Sequence, residues 1–298
     1  EDYSPGVPPA LQKPVLGQVC SFTLDSSDMV PSDAAKALNG DGVVCLRRAF
    51  DDSWLSTIET GIADAVGGAS TDVDVVHRDG DEGSFSFSSG AWNSVQGFRS
   101  FIFDSRLPDL VWSLLNSTEL VLFYDFLLIK EARSDTASTP WHQDHSYYPI
   151  DGVKVVNSWV ALDDIPVESA LRFLAGSHYA KTLYRAVDFD DPEADYRHAR
   201  TELPLPQIET DGSEVLVAPL KAGDMLVWWS YTLHCAPGNR LPSRRAAFSV
   251  NWVGDDVVYN GKPALDTYCE SSLQIGEPII CDKFPLVRGP EMAMGRHE

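Results

Sequence analysis

Positive charge is scarce in this 298-residue chain: 23 Lys and Arg stand against 44 Asp and Glu, for a net charge of -21 and a pI near 4.5. A field of that sign repels phosphate backbones and anionic lipid, and no Lys/Arg-rich run offsets it locally, so nucleic acid and membrane surfaces are not expected partners. Long apolar runs are also missing. The longest, ELVLFYDFLLI over 119–129, is interrupted by Asp125 and is too short to span a bilayer. Cysteine is sparse and odd in number, at 20, 45, 235, 269 and 281, with no Cys-x-x-Cys pair. That argues against a disulfide framework and a zinc knuckle. The thiols are expected to be reduced in a cytoplasmic protein, with Cys269 and Cys281 the one pair open to bridging. The opening EDYSPG has neither an initiator Met nor an apolar signal core, a start expected of a trimmed or processed chain.

What is present is an ordinary globular composition, 44% hydrophobic, enough for one sizeable core. Pro5, Pro8, Pro9 and Pro14 mark residues 1–32 as an extended arm. A short helix is predicted from Asp33, followed by the β-rich VVCLRRAF. After the capping signal DDS, the residues Trp54, Leu55, Ile58, Ile62 and Val66 recur at helical spacing, as do Leu107, Leu110, Val111, Leu114 and Leu115. Between them, the Gly, Ser and Asp-rich stretch 67–91 reads as loop. Beyond 119 the pattern changes to short β-branched and aromatic runs between turn residues, as in VVNSWVALDDIP. The expectation is a single domain over 1–298, mainly β with N-terminal α. Residues 33–118 form a helical support, 119–256 a β sandwich or barrel core, and 257–298 a C-terminal extension.

Residues two apart on a strand share a face, so WHQDH at 141–145 can present His142 and Asp144 to one ion while Gln143 and His145 face away. His77-Arg78-Asp79 repeats the spacing, but in a polar acidic loop without aromatic neighbours, where a solvated loop is the simpler reading. Two histidines and one carboxylate on one face of an octahedral metal leave three positions open, the arrangement of non-haem Fe(II) oxygenases. His234, ending an aromatic strand in WWSYTLHCAPGN, is the best candidate for the second histidine. A buried arginine needs an anionic partner, and Arg244 and Arg245 open the apolar strand RRAAFSVNW.

The ordered run TPWHQDHSYYP, NSWVALDDIP, ALRFLAGSH, AGDMLVWW, HCAPGN, RRAAFS and WVGDD resembles the phytanoyl-CoA dioxygenase family of Fe(II) and 2-oxoglutarate-dependent oxygenases, over about 33–256. It is most similar to the bacterial branch of aminoethylphosphonate-type dioxygenases. The resemblance implies a double-stranded β-helix, a cupin-like jelly roll with helices packed on one sheet. It also implies iron on His142, Asp144 and His234, with 2-oxoglutarate as cosubstrate and O2 as oxidant. In such enzymes the arginine that holds the distal carboxylate of 2-oxoglutarate stands eleven residues after the second iron histidine, and counting from His234 reaches Arg245. A one-residue gap would select Arg244. Lys130 and Trp159 lie where members line the cofactor pocket. Cys235 and Ala170 replace glycines common in the family.

The expected reaction is hydroxylation of a small molecule, releasing succinate and CO2. Desaturation, epoxidation or cyclisation would use the same ligands, and a barrel without catalysis would be a binding protein. Halogenation needs a small residue where Asp144 stands. The acidic surface favours a neutral, zwitterionic or cationic substrate, for which Trp141, Tyr147, Tyr148 and Trp229, with Trp228 and Tyr231, are candidate walls. The acidic segment 187–200 is a candidate lid or a solvated loop. Oligomeric state is not legible.

Overall fold

The computed structural model describes residues 13–25, 29–69, 73–76, 82–135, 137–189, 196, 198–209 and 211–290. Strands β1 (Val15–Gln18) and β2 (Ser21–Thr23) lead into helix α1 (Ser32–Asp41), strand β3 (Val43–Arg47) and helix α2 (Asp52–Asp64). Asp51 caps α2 by accepting from the Ser53 and Trp54 amides, as the DDS signal predicts. Strands β4 (Val73–Val76) and β5 (Phe85–Ser89) precede helices α3 (Gln96–Asp104) and α4 (Leu107–Leu115). The β-rich half comprises β6 (Leu120–Lys130), β7 (Thr139–His142), β8 (Ile150–Asp151), β9 (Val155–Ala161), β10 (Leu171–Leu174), β11 (Glu214–Ala218), β12 (Met225–Trp229), β13 (His234–Ala236), β14 (Arg245–Val253), β15 (Val258–Tyr259) and β16 (Leu286–Arg288).

Two sheets carry the architecture. One runs β1-β11-β10-β13-β7; the other runs β2-β3-β12-β9-β14-β6-β5-β4, with β16 added to β6. The chain is a mainly β, double-stranded β-helix of the jelly-roll kind, as the sequence implies. Both faces of the central strands are buried, so period-2 alternation sorts their side chains between two cores. On the large sheet Val44, Leu46, Val156, Val160, Phe248 and Trp252 pack under the four helices. Phe248 sits against Phe98 and Phe101 at ring separations of 4.7 and 5.9 Å. The alternate residues Val43, Cys45, Trp159, Leu226, Trp228 and Ala247 meet Leu171, Phe173 and Leu216 of the smaller sheet. Among the described residues no helix is long and apolar enough to cross a membrane.

One expectation needs correction. The stretch 67–91 is not simply loop, because β5 pairs with β6 from Phe85↔Lys130 to Ser89↔Phe126 and β4 pairs with β5. Its Phe-Ser-Phe-Ser alternation is a strand pattern in which serine takes every second place: Phe85 and Phe87 face the space between the sheets, and Ser86 and Ser88 are buried on the other side. All five cysteines are free thiols, Cys269 and Cys281 included. In the N-terminal stretch, β1 and β2 pair in parallel with β11 and β3. His77 and Asp79 lie outside the described residues.

Asp125 faces the helical side of β6, fully buried, where one carboxylate oxygen accepts from the Trp92 amide at 3.2 Å and the other has no partner. Burial pushes its carboxyl up to about 7 from 3.8. Between those values the folded state holds a proton that the unfolded chain has released, so raising the pH favours unfolding. We expect wild type to lose up to about 4 kcal/mol relative to Asp125→Asn between pH 4 and pH 8. Urea midpoints of both proteins across that range measure it, and a pH-independent gap would disprove the assignment.

Candidate metal centre and its cavity

The antiparallel pairing of β13 with β7 puts His234 directly across from His142. Their rings lie 4.2 Å apart between centroids. Each Nδ1 donates to a carbonyl two residues earlier, His142 to Pro140 at 2.9 Å and His234 to Thr232 at 3.0 Å. A carbonyl only accepts, so both rings are protonated on Nδ1 and turn a bare Nε2 inward. Each Nε2 is 3.7 Å from the same oxygen of Asp144, and one donor atom from each of the three residues lies within 4.8 Å of the others. The other Asp144 oxygen accepts from Trp228 Nε1 at 3.0 Å. Asn157 adds a side-chain hydrogen bond to the same carboxylate, and Ser249 in turn donates to Asn157 Oδ1 at 2.6 Å.

Burial sets the charge state of this group. It pulls His142 down to about 3, helped by the neighbouring His234, and His234 down to about 4. Burial raises the Asp144 carboxyl, opposed by His142, Trp228 and Asn157. Two neutral imidazoles and one fixed carboxylate, their lone pairs converging in a buried wall, form a donor set that fits a divalent metal of the Fe(II) type.

Asp144 is not on a strand. Strand β7 ends at His142, Gln143 is extended, and Asp144 opens a single 3-10 turn through Tyr147. Gln143 forces the exit: its side chain donates to the Thr182 and Tyr231 carbonyls and accepts from Ser146 and the Tyr184 amide. Alternation therefore paired His142 with Asp144 correctly for a strand that stops one residue too early. His145 points elsewhere, bonded to Ser230 Oγ at 3.0 Å and stacked on Tyr231 at 4.0 Å.

A cavity of about 550 Å³ opens over the three residues. Alternation along β14 sends Arg245, Ser249 and Asn251 into it, while Arg244 turns outward to Glu59 and Asp163. Arg245 is 5% exposed and has no carboxylate partner among the described residues. Its Nε is unbonded, its guanidinium lies 5.6 Å from the Trp159 ring, and burial draws its pKa down to about 10. Lys130, opposite Arg245 in the register, lines the same end and donates to the Pro237 carbonyl at 3.1 Å. Cys235 also lines the cavity as a thiol, pushed up to about 12 by burial.

Tyr147 and Tyr148 line the cavity, but three other expected wall residues, Trp141, Trp229 and Tyr231, do not; Tyr231 stacks on His145. Trp141 lies on the far side of its sheet, bonded to Glu209 at 3.0 Å. Trp229 packs against the helical core, and Trp228 takes the inward place because it shares the face of Leu226. Sequence reasoning also missed Asn157, Tyr124, Tyr268, Phe85, Phe87 and Phe126. A polar residue inside the otherwise apolar VVNSWVA was a signal for Asn157; Tyr268, in an irregular segment, left none. Of the segment 187–200, residues 190–195 and 197 lie outside the described residues, and Val187, Asp188, Phe189 and Tyr196 line the cavity mouth.

A family model described as Phytanoyl-CoA dioxygenase (PhyH) matches residues 38–247. Among solved structures, the non-heme alpha-ketoglutarate-dependent carbocyclase SnoK from nogalamycin biosynthesis is similar at 21% identity and TM-score 0.69, over 88% of this chain and 98% of that one. The epimerase SnoN, in complex with Fe3+, alpha-ketoglutarate and nogalamycin RO, is similar at 22% identity and TM-score 0.67, over 86% and 98%. EvdO2 from Micromonospora carbonacea var. aurantiaca, complexed with 2-oxoglutarate, is similar at 19% identity and TM-score 0.56, over 81% and 98%. At these identities the likeness is one of fold. No curated protein sequence matches significantly. The matches identify a family and no branch within it.

The two arginines should differ in stability as they do in partners. Arg245→Met removes a buried, unpaired cation and is expected to stabilise the ligand-free chain by about 1–3 kcal/mol. Arg244→Met strands Glu59 and Asp163 and is expected to destabilise by about 1–3 kcal/mol. Urea denaturation of both variants checks the opposite signs.

Proposed function

Because this chain belongs to the phytanoyl-CoA dioxygenase (PhyH) family of Fe(II)- and 2-oxoglutarate-dependent oxygenases, we propose that its three converging residues and its unpaired arginine divide the cofactor work between them. His142, Asp144 and His234 hold the iron, and Arg245 receives the distal carboxylate of 2-oxoglutarate. One observation carries this reading: a buried cation without an anion shares a cavity with a neutral-imidazole and carboxylate donor set. A planar guanidinium in that state is made for a bidentate carboxylate.

Bound iron with 2-oxoglutarate and O2 supplies an oxidant strong enough to take a substrate hydrogen, with succinate and CO2 as coproducts. The chain's own residues orient and shield. The Nδ1 bonds to Pro140 and Thr232 fix the ring planes, and Trp228 and Asn157 leave one Asp144 oxygen for the metal. Lys130 adds positive charge beside Arg245, and Trp159 and Leu128 cover that end against water. A neutral, zwitterionic or cationic small molecule is the substrate, and hydroxylation of its C–H bond is the outcome. Asp144, a carboxylate where a halide would need room, weighs against halogenation. Ring formation or epimerisation is a second reading, supported by the carbocyclase and epimerase among the similar folds.

Anaerobic protein with Fe(II) and 2-oxoglutarate should show the visible charge-transfer band of a chelated 2-keto acid. His142→Ala and His234→Ala are expected to abolish the band and His145→Ala to keep it; a band that survives both losses refutes the ligand set. Arg245→Ala should weaken 2-oxoglutarate binding by roughly 2–3 kcal/mol, about a hundredfold, and Arg244→Ala should change it little. Titration of the band in the two variants decides between them.

A further inference from the structure

Positive charge in the cavity is confined to one end. Among its described lining residues the charged side chains are Arg245 and Lys130, adjacent across β14 and β6, Asp144 in the metal group, and Asp188 at the mouth, which has an interaction of its own. The remaining wall is aromatic. Phe85, Phe87 and Phe126 form a continuous strip, with ring separations of 5.4 and 6.0 Å. Phe189 reaches over the metal group, 4.8 Å from the His142 ring and 5.7 Å from Tyr147, and remains 40% exposed.

The polar atoms of this wall are uncharged, in hydroxyls and amides such as Ser89, Thr267 and Asn251 and in a cluster of phenols. The Tyr124 and Tyr148 hydroxyls lie 2.7 Å apart, Tyr148 donates to Asn251 Oδ1 at 3.1 Å, and Tyr268 is hydrogen-bonded to Tyr124. Burial, with the Asp144 charge and the neighbouring tyrosines adding to it, holds all three well above the usual phenol range, so they stay neutral. Tyr124 and Tyr148 are locked in the core, and Tyr268, partly exposed, is the member of the cluster open to a ligand. Such a wall offers no counter-charge, so an ionised group placed there would be desolvated without compensation. It offers flat apolar surface and neutral hydroxyls that exchange hydrogen bonds.

We propose that the substrate is an uncharged, ring-containing molecule whose ring lies along Phe87 and Phe126 and whose hydroxyl or carbonyl group is received by the phenol cluster at Tyr268. This rests on the oxygenase reading, since under it the end of the cavity at Arg245 and Lys130 serves the cosubstrate and not the substrate. It narrows the substrate from the charge classes open above to the neutral one.

Equilibrium dialysis of the full chain, both metal-free and loaded anaerobically with Fe(II) and 2-oxoglutarate, tests the proposal with four bicyclic probes. These are 1-tetralone, its hydrocarbon parent tetralin, 1-naphthoate and 1-naphthylmethylammonium. In the loaded chain the two neutral probes should be retained and the two charged ones should not, and in both forms tetralone should be held about fivefold more tightly than tetralin. Tyr268→Phe should remove that fivefold preference and leave tetralin retention in place. Phe87→Ala should weaken both neutral probes alike. Retention of a charged probe by the loaded chain as strong as that of tetralone, no retention of either neutral probe, or an unchanged preference in Tyr268→Phe overturns the proposal. The charge-transfer band in the loaded samples reports the cofactor site separately: its absence refutes the oxygenase assignments, whereas dialysis of the metal-free chain still judges the wall.

Discussion

Strand β14 is buried on both faces along its whole length, and the rest of the molecule is arranged around that constraint. Helices cover one face of its sheet and the smaller sheet covers the other, so none of its side chains reaches water and every second residue must suit one of two interiors. Ala246, Phe248, Val250 and Trp252 answer the helical layer, and Arg245, Ala247, Ser249 and Asn251 answer the space between the sheets. Its antiparallel neighbours β6 and β9 add Lys130, Tyr124, Asn157 and Trp159 to that same inner face. One register therefore fixes the cationic end of the cavity and the hydrogen-bond support for Asp144.

The metal group depends on a second piece of geometry, the turn that follows β12. Gly42, at φ 89 after α1, lets Trp229 and Thr232 both donate to its carbonyl; a Cβ there would come within 2.7 Å of the Thr232 hydroxyl. This anchors the turn that delivers His234 across from His142. The loop carrying Asp144 is held from its other side. Arg200 donates to the carbonyls of His145, Tyr148 and Ile150, and Tyr147 donates to the Val187 carbonyl at 2.9 Å. The segment between β10 and β11 thus braces the ligand loop while lending Phe189 to the cavity mouth. Val187, which holds Tyr147, and Phe189 at the cavity mouth lie two residues apart in the chain.

Electrostatics divide the work in the cavity. Burial leaves the Arg245 guanidinium without a counter-ion and keeps His142 and His234 neutral, states suited to ligands of opposite demand, an anion and a cation. Trp228 shows how thin the margin is, since one indole N–H decides which Asp144 oxygen faces the imidazoles.

Much of this was legible in the residues. The ordered motifs from TPWHQDHSYYP to WVGDD carried the jelly-roll architecture, and the eleven-residue spacing from His234 that the family resemblance implies picked Arg245 over Arg244, neighbours that period-2 alternation puts on opposite faces. Alternation failed where periodicity is not what positions a side chain. Asp144 leaves the strand because Gln143 is held by Thr182, Tyr231 and Tyr184, all distant in sequence. Trp228 rather than Trp229 faces inward because pairing with β9 sets the phase of β12, which composition does not encode. Strand β5 looked like loop because serines dilute its pattern, and its backbone partners, β6 and β4, are brought to it by the fold. The sequence by itself determined which side chains could bind a metal and an anion, because donor chemistry belongs to residue type. The tertiary structure alone decided which of them meet, because register and turn exits depend on contacts between segments far apart in the chain.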